Sequence, residues 1–264
     1  MELRISSSSN PLLKQLRSLK QTKVRRETGL FVVEGIHPVG EAVQAGWQFE
    51  KVVFAPDLLT SDFAQSLIKK LSRAGVSCIP LENRLFSTIS EKENPQGILA
   101  IVKQKKMSLD QYSKTSFSLA TALVSPQDPG NIGTILRTMD ATGAAPLFLL
   151  DGGADPYHPT AVRASMGSLF WIPIISTTFV PFIHWVKSHG YFLLGTSAHA
   201  KSDYKEVEYP STSSVILLGS EQKGLSESQM TSCDMVISIP MNGRSTSLNL
   251  AVAAGILLYS FKRK

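Results

Sequence analysis

Cysteine is nearly missing from this 264-residue sequence: Cys78 and Cys233 stand far apart, without a C-x-x-C partner or metal-ligand spacing. That excludes a disulfide framework and a zinc ribbon, suits a reducing, cytoplasmic compartment, and leaves both thiols as packing residues. Long apolar runs are also missing. The start, MELRISSSSN, has no apolar h-region, and the longest apolar run, near the C-terminus, falls short of the roughly 20 residues that span a bilayer. A soluble, unsecreted protein with no membrane partner is expected. The five histidines form neither H-E-x-x-H nor another pairing with carboxylates, so no metal is expected. There is no G-x-x-x-x-G-K-[ST] loop for a nucleotide triphosphate. DGGAD (Asp151 to Asp155) is not a dinucleotide fingerprint, and GTSAH (Gly195 to His199) is one residue short of a nucleophile elbow. No carboxylate pair stands out for general acid and base work.

What is present is an ample apolar fraction, 43%, in a chain long enough for one large domain or two ordinary ones. Charge divides it. Residues 1–106 hold 16 Lys and Arg against 10 Asp and Glu, whereas residues 107–264 hold 11 against 11, so the whole net charge of +6 lies in the first part. Two readings fit: a basic unit that grips a polyanion, joined to a separate chemical module, or a solvated, slightly basic surface.

Asn10-Pro11 is an N-cap followed by proline at N1, opening a helix through Leu12, Leu13, Leu16 and Leu19. Its other face carries Lys14, Arg17 and Lys20, and Lys23, Arg25 and Arg26 continue the positive stretch as the helix runs out. These side chains suit phosphate contacts, which position a nucleic acid without reading its sequence. Strands are expected at Leu30–Gly35, Lys51–Ala55, Val76–Ile79 and Gly97–Val102, with helices near Val39–Val43, Leu58–Ala74 and Asn83–Ile89. Alternation of this kind gives a small α/β unit over 1–106. The polar stretch 107–116 reads as a linker.

The second unit, 117–264, opens with the apolar strand Phe117–Val124 of a parallel sheet. Asp128, Pro129 and Gly130 make a turn into a helix at about Asn131–Thr142, from which Arg137 projects. Further strands are expected at Leu147–Leu150, Trp171–Ile175, Tyr191–Ser197, Val215–Ser220 and Met235–Pro240, with a helix carrying Arg163 over His158–Phe170 and a short helix capped by Ser226. Three loops with small residues, around Gly195, Gly219 and Pro240, each follow a buried strand and can hold a neutral, partly apolar small molecule.

The last stretch, Ile239–Tyr259, runs from a strand end through a polar loop into a helix that is apolar on nearly every side, with Ser247 as the expected N-cap. Such a helix is expected to be buried all round, with Ala251, Ala254 and Gly255 as a strip of close backbone approach. Asn249 is then a buried amide in need of partners, as a structural hydrogen-bond knot or as the floor of a site.

Together these blocks resemble the SpoU (TrmH-type) family of SPOUT RNA 2′-O-ribose methyltransferases. The first motif is met by Asn131, Gly133 and Arg137 in DPGNIGTILRT; the second by Gly219, Glu221 and Gly224 in LLGSEQKGLS; the third by Ile239 through Asn249 in IPMNGRSTSLN. VRASMGSLF, with Arg163 and Gly167, is similar to the segment between them. NPLLKQLRSLKQTKVRRETGLFVVEG and PQGILAIV resemble the RNA-binding domain that many members carry, similar to a ribosomal protein. Ser220 and Gln222 depart from the Asn and Gly that many members have beside the Glu.

The resemblance implies a C-terminal SPOUT domain with a deep trefoil knot and a homodimer. S-adenosylmethionine is expected on backbone groups at Gly219, Ile239 and Leu248, with Gly195 and Met241 in the neighbouring loops. Arg137 is the expected catalytic residue, with Asn131 and Asn249 holding loop and ribose, Ser247 capping the last helix, and Glu221 orienting Arg137 or nearby backbone. Lys14, Arg17, Lys20, Arg25, Arg26 and Arg163 are expected to contact RNA. Ribosomal RNA is favoured as substrate; transfer RNA, and a non-catalytic RNA-binding or ribosome-assembly role, are the alternatives.

Overall fold

A computed structural model describes residues 4–112, 117–210 and 212–261. The tail of the expected linker, residues 113–116, lies outside them. By contacts the chain forms two compact units: one takes the chain up to Lys105 together with Tyr157–Phe170, the other takes Lys106–Pro156 and the chain from Trp171 onward.

The first unit holds, in chain order, α1 (Pro11–Ser18), α2 (Thr22–Thr28), β1 (Leu30–Glu34), α3 (Ile36–Gln44), β2 (Phe49–Phe54), α4 (Asp62–Arg73), β3 (Ser77–Pro80), α5 (Asn83–Ser87) and β4 (Ile98–Lys103). Asn10 Oδ1 accepts the Leu12 amide at 2.9 Å, so α1 starts where the Asn-Pro pair predicts. The helix α2 was not expected; it adds two turns to the basic stretch and stops at Gly29, whose φ of 66° suits a C-terminal glycine. α4 starts at Asp62, capped by Ser61, later than the apolar pattern predicts, because Pro56–Leu58 form a 3-10 turn. The sheet order is β1-β4-β2-β3, with β4 antiparallel to both neighbours and β2 parallel to β3. Leu13, Leu16, Leu19, Leu85, Phe86 and Ile101 are among the residues that fill one face.

Contact and sequence order divide the chain differently at one place. α7 (Pro159–Ala164) packs on β1, and Trp47 Nε1 donates to the Phe170 carbonyl at 2.8 Å inside a cluster with Phe31 and Tyr157. The single helix expected over His158–Phe170 is shorter. It ends where Met166 (φ 50°) and Gly167 (φ 99°) turn the chain, and a Cβ at Gly167 would stand 2.5 Å from Glu41 Cγ.

The second unit holds β5 (Leu119–Val124), α6 (Pro129–Thr142), β6 (Leu147–Leu150), β7 (Ile174–Thr177), α8 (Phe179–Ser188), β8 (Phe192–Thr196), β9 (Ser202–Asp203), β10 (Ser214–Leu218), α9 (Glu227–Thr231), β11 (Met235–Ser238) and α10 (Leu250–Ser260). Its strands run in the order β7-β6-β5-β10-β8-β11-β9, and every pairing is parallel. The all-buried patterns of β5, β6 and β10 follow from cover on both faces. The chain goes outward from β5 to β7, then returns and sets β10 directly beside β5. The carboxyl ends of β5, β10, β8 and β11 therefore converge where strand order reverses, the place at which open α/β sheets bind ligands.

Candidate functional site

Three loops meet at those strand ends. In the first, Asp128 caps α6 by accepting the Gly130 amide at 2.8 Å, with Pro129 at N1. α6 thus begins just before Asn131 and turns that side chain inward, where it is 7% exposed.

The second loop leaves β10 through Gly219 and folds back on itself, with the Gly224 amide on the Ser220 carbonyl at 2.9 Å and Gly224 at φ 64°. A Cβ at Gly219 would stand 2.0 Å from the Gly224 carbonyl carbon and 2.3 Å from the Leu225 nitrogen. Ser220 accepts the Lys223 amide on its hydroxyl at 3.3 Å, which helps to close the turn.

Glu221 sits on this turn and reaches the first loop. Its Oε2 accepts the Gln127 amide at 2.9 Å, and its Oε1 accepts the Asp128 amide at 3.3 Å and Asn131 Nδ2 at 3.0 Å. Asn131 Oδ1 in turn accepts Asn249 Nδ2 at 2.9 Å. Asn249 Oδ1 accepts the amides of Ala251 and Val252 at 2.9 and 3.3 Å. One chain of hydrogen bonds therefore ties together all three sequence motifs.

One expectation is corrected by this chain. The cap of α10 is Asn249 and not Ser247, because its short amide reaches the free N–H groups of the first turn; Ser247 lies upstream, exposed, its carbonyl taken by Ser245 Oγ. Of the two partners expected for Glu221, Arg137 or nearby backbone, it holds the backbone, at Gln127 and Asp128, together with Asn131; no bond joins it to Arg137 among the described residues. Arg137 lies exposed farther along α6, without a hydrogen bond or ion pair among the described residues. Asn249 is exposed too, although its amide is satisfied. α10 is not covered all round: Val252 and Tyr259 leave 50% and 68% of their surfaces open, and Leu248, just ahead of its cap, leaves 37%.

Burial opposes ionisation of Glu221, but the hydrogen bonds from Asn131 and from the backbone amides of Glu221, Gln127 and Asp128 outweigh it and hold the carboxyl below its ordinary value of 4.5. A depressed folded-state pKa contributes stability that is complete above the unfolded value and lost as pH falls through the folded one. Melting temperature is therefore expected to drop on acidification below pH 4.5, and to drop less in Glu221→Gln. Parallel curves for the two proteins would show that the carboxylate contributes nothing.

Between the second and third loops lies a cavity of ≈ 460 Å³. Gly219, Ile239, Met241, Ser247 and Leu248 line it, as do Thr196, Leu218, Ile237, Leu250 and Leu257, which sequence reading did not single out. Its lining mixes aliphatic side chains such as Leu218, Ile237 and Leu257 with hydroxyl and charged ones such as Thr196, Glu221 and Lys223, a fit for an amphipathic molecule of nucleoside type. Gly195 is the exception. It lies within β8, away from the lining, and a Cβ there would stand 2.7 Å from Cys233 Sγ; its smallness makes room for that thiol. Burial and the charge of Asp234 push the Cys233 thiol up to about 12, against Lys187, so it stays protonated and inert as a packing residue.

The expected RNA contacts fall in the first unit. Lys14, Lys20, Arg26 and Arg163 are exposed, and Arg163 and Lys20, distant in sequence, line one small cavity with Lys92, Glu34 and Glu91. Lys20 pairs with Glu91 at 3.3 Å. Arg17 is half-buried and donates to Thr88 Oγ1 at 3.0 Å and to the Ser8 carbonyl at 3.3 Å. Arg25 is a correction: it is fully buried, donating to the carbonyls of Leu19 and Lys20 at 2.9 and 2.8 Å and to Thr22 Oγ1 at 3.0 Å. It joins the end of α1 to α2 and is closed to phosphate. Among the described residues no His, Cys, Asp or Glu cluster could hold a metal ion.

Residues 118–259 match the model of the SpoU rRNA Methylase family, and residues 10–100 match the MRM3-like substrate binding domain. The chain is 31% identical to a 23S rRNA (guanosine(2553)-2′-O)-methyltransferase, RlmP, of Bacillus subtilis, over 98% of each chain. It is 32% identical to a 23S rRNA (uridine(2479)-2′-O)-methyltransferase of Streptomyces viridochromogenes, covering 98% of this chain and 91% of that one. Among solved structures, an AdoMet-bound rRNA methyltransferase from Sinorhizobium meliloti superposes with a TM-score of 0.90 at 34% identity, covering 98% of this chain and 96% of that one.

Proposed function

This chain belongs to the SpoU rRNA Methylase family, and we propose that it transfers a methyl group from S-adenosylmethionine to a ribose 2′-hydroxyl of ribosomal RNA. The observation that carries the reading is the bridge from Glu221 through Asn131 to Asn249, which fixes the three motif loops at the lip of the cavity lined by Gly219, Ile239 and Leu248. Ribosomal RNA is favoured by the basic first unit with its match to a substrate-binding domain, and by the ribosomal substrates of the relatives.

S-adenosylmethionine, when bound, supplies an activated methyl group on a sulfonium. The protein's share is then alignment and charge. Gly219, Ile239, Met241 and Leu248 hold the donor by backbone and aliphatic surface, with the Ser247 hydroxyl at the same wall. Arg137, a cation without a partner among the described residues, fixes the neighbouring phosphate and stabilises the alkoxide that develops as the 2′-oxygen attacks. The 2′-hydroxyl proton passes to solvent water and not to the guanidinium, which stays charged. Lys14, Lys20, Arg26 and Arg163 position the RNA backbone.

The half-open α10 supports a homodimer. Val252 and Tyr259, seven residues apart, lie exposed on one face of it, a second copy of the same face is the matching cover, and an isologous contact needs only one such face. Val252→Glu should sediment as a monomer where the parent protein is a dimer. The insertion of β10 between β5 and β8 supports a trefoil knot through which the last helix passes. Work in the cytoplasm is supported by the ribosomal RNA substrates of the relatives.

Mapping of 2′-O-methyl positions in ribosomal RNA from cells with and without the protein tests the reading: one position should lose its mark. An unchanged ribosomal map with a change in transfer RNA would move the substrate. No change in either, with no S-adenosylmethionine binding by calorimetry, would leave a non-catalytic RNA-binding role.

A further inference from the structure

The cofactor cavity carries charge as well as aliphatic surface. Among the described residues of its lining, three can ionise: His199, Glu221 and Lys223. Glu221 is occupied. Its oxygens are held by the Gln127 and Asp128 amides and by Asn131 Nδ2, and these bonds keep it an anion. Lys223 is exposed, and among the described residues its ammonium makes no hydrogen bond or ion pair; only its backbone amide is bonded.

The backbone under Lys223 is fixed on two sides. Its amide donates to Ser220 Oγ at 3.3 Å, the Gly224 amide donates to the Ser220 carbonyl at 2.9 Å, and Glu221 ties the same turn to the loop after β5. The ammonium is therefore carried on a flexible stem from a rigid base. His199 belongs to the loop that leaves β8, the parallel neighbour of β10, and its amide donates to Ser197 Oγ at 3.2 Å. The ends of two adjacent strands thus bring all the ionisable groups of the lining to one cavity.

S-adenosylmethionine carries a carboxylate and an ammonium on its amino-acid arm, and a sulfonium. Glu221 supplies negative charge to the two cations and repels the carboxylate. An anion brought against Leu218, Ile237 and Leu257 needs a charged, hydrogen-bonding partner, and the aliphatic surface and backbone of the cavity give it no charge. We propose that Lys223 receives the carboxylate of the cofactor's amino-acid arm, an inference that rests on the methyl-transfer reading above. Its ammonium offers three donors and a compact charge, which suit a point contact to a carboxylate. Lys223 then makes the site selective for the amino-acid arm, so that adenosine-bearing molecules without a carboxylate are held less tightly.

Calorimetry on the full chain with three probes tests the assignment: S-adenosylmethionine, its decarboxylated form, which lacks the carboxylate alone, and methylthioadenosine, which lacks the whole amino-acid arm. Lys223→Ala should bind S-adenosylmethionine about tenfold more weakly, the effect of one lost hydrogen bond to a charged group, and should bind the two other probes as the parent protein does. Lys223→Arg keeps the charge and should recover most of the affinity. His199→Ala alters the same cavity and should keep the parent's preference for the probe with a carboxylate. An equal loss for all three probes in Lys223→Ala, no loss for any, or a carboxylate-specific loss in His199→Ala alone would overturn the assignment and leave the methyl-transfer reading intact. Failure of the parent protein to bind any of the three probes would remove that reading and this inference with it.

Discussion

A Gly219→Ala protein is expected to lose S-adenosylmethionine binding by at least about a hundredfold and to melt at a lower temperature. The added Cβ would lie 2.0 Å from the Gly224 carbonyl carbon, 2.3 Å from the Leu225 nitrogen and 2.4 Å from the Gly224 oxygen. All three are backbone atoms, so no side chain can swing away. Relief must come from opening the Ser220–Gly224 turn, which breaks the 2.9 Å bond between its ends. Overpacking of this kind costs about 1–3 kcal/mol, and here the strain falls on a wall of the cofactor cavity. The same opening carries Glu221 away from Gln127, Asp128 and Asn131. Calorimetry with S-adenosylmethionine and a thermal melt check both effects. Gly195→Ala is the control: its Cβ would meet the Cys233 thiol at 2.7 Å, outside the cavity lining, so it should cost stability more than affinity. Equal binding by Gly219→Ala and the parent protein would separate the tight turn from cofactor recognition.

The parts legible in the sequence were those set by local rules. Asn10-Pro11 starts α1, Ser226 caps α9 with Gln229 answering in a capping box, and the uninterrupted apolar runs of β5, β6 and β10 lie in a sheet covered on both faces. α8 escaped because FVPFIHWVKS is apolar on too many sides to show a helical period; its start is fixed from afar by Asp151. Arg25 escaped for a related reason. Composition marks it as one cation among several, and only the fold shows that it curls back onto the carbonyls of Leu19 and Lys20. In the site, motif spacing placed Asn131, Glu221 and Asn249 as relevant residues, but not their bonds, which span 90 and 118 residues. The choice between Ser247 and Asn249 as cap was open to local chemistry, since both are good N-caps. It was decided by Asn131, which takes the Asn249 amide and sets that residue at the helix start. The excursion of Tyr157–Phe170 onto β1 has no sequence signal at all, since it depends on Trp47, Phe31 and Glu41 of a distant stretch.

Arg137→Ala is expected to lower kcat for methyl transfer about 10²–10³-fold, the range for removal of one preorganised charge stabiliser, while cofactor affinity and melting temperature stay near the parent values. The argument rests on what Arg137 does not do within the chain. It is exposed on α6, it makes no hydrogen bond or ion pair among the described residues, and it is absent from the lining of the cofactor cavity. Removal of such a side chain changes stability within about 0.5 kcal/mol, so a collapse of activity would have to come from the reaction itself. Asn131 offers the contrast on the same helix. Asn131→Ala removes the middle of the bridge and leaves Glu221 and Asn249 each short of a partner, so it should lower both melting temperature and cofactor affinity. Arg137→Lys keeps charge but not the planar fork, and an intermediate kcat in that variant would assign part of the effect to bidentate phosphate contact. A parent-like kcat in Arg137→Ala would take the guanidinium out of the mechanism and turn attention to Lys223, which lines the cofactor cavity.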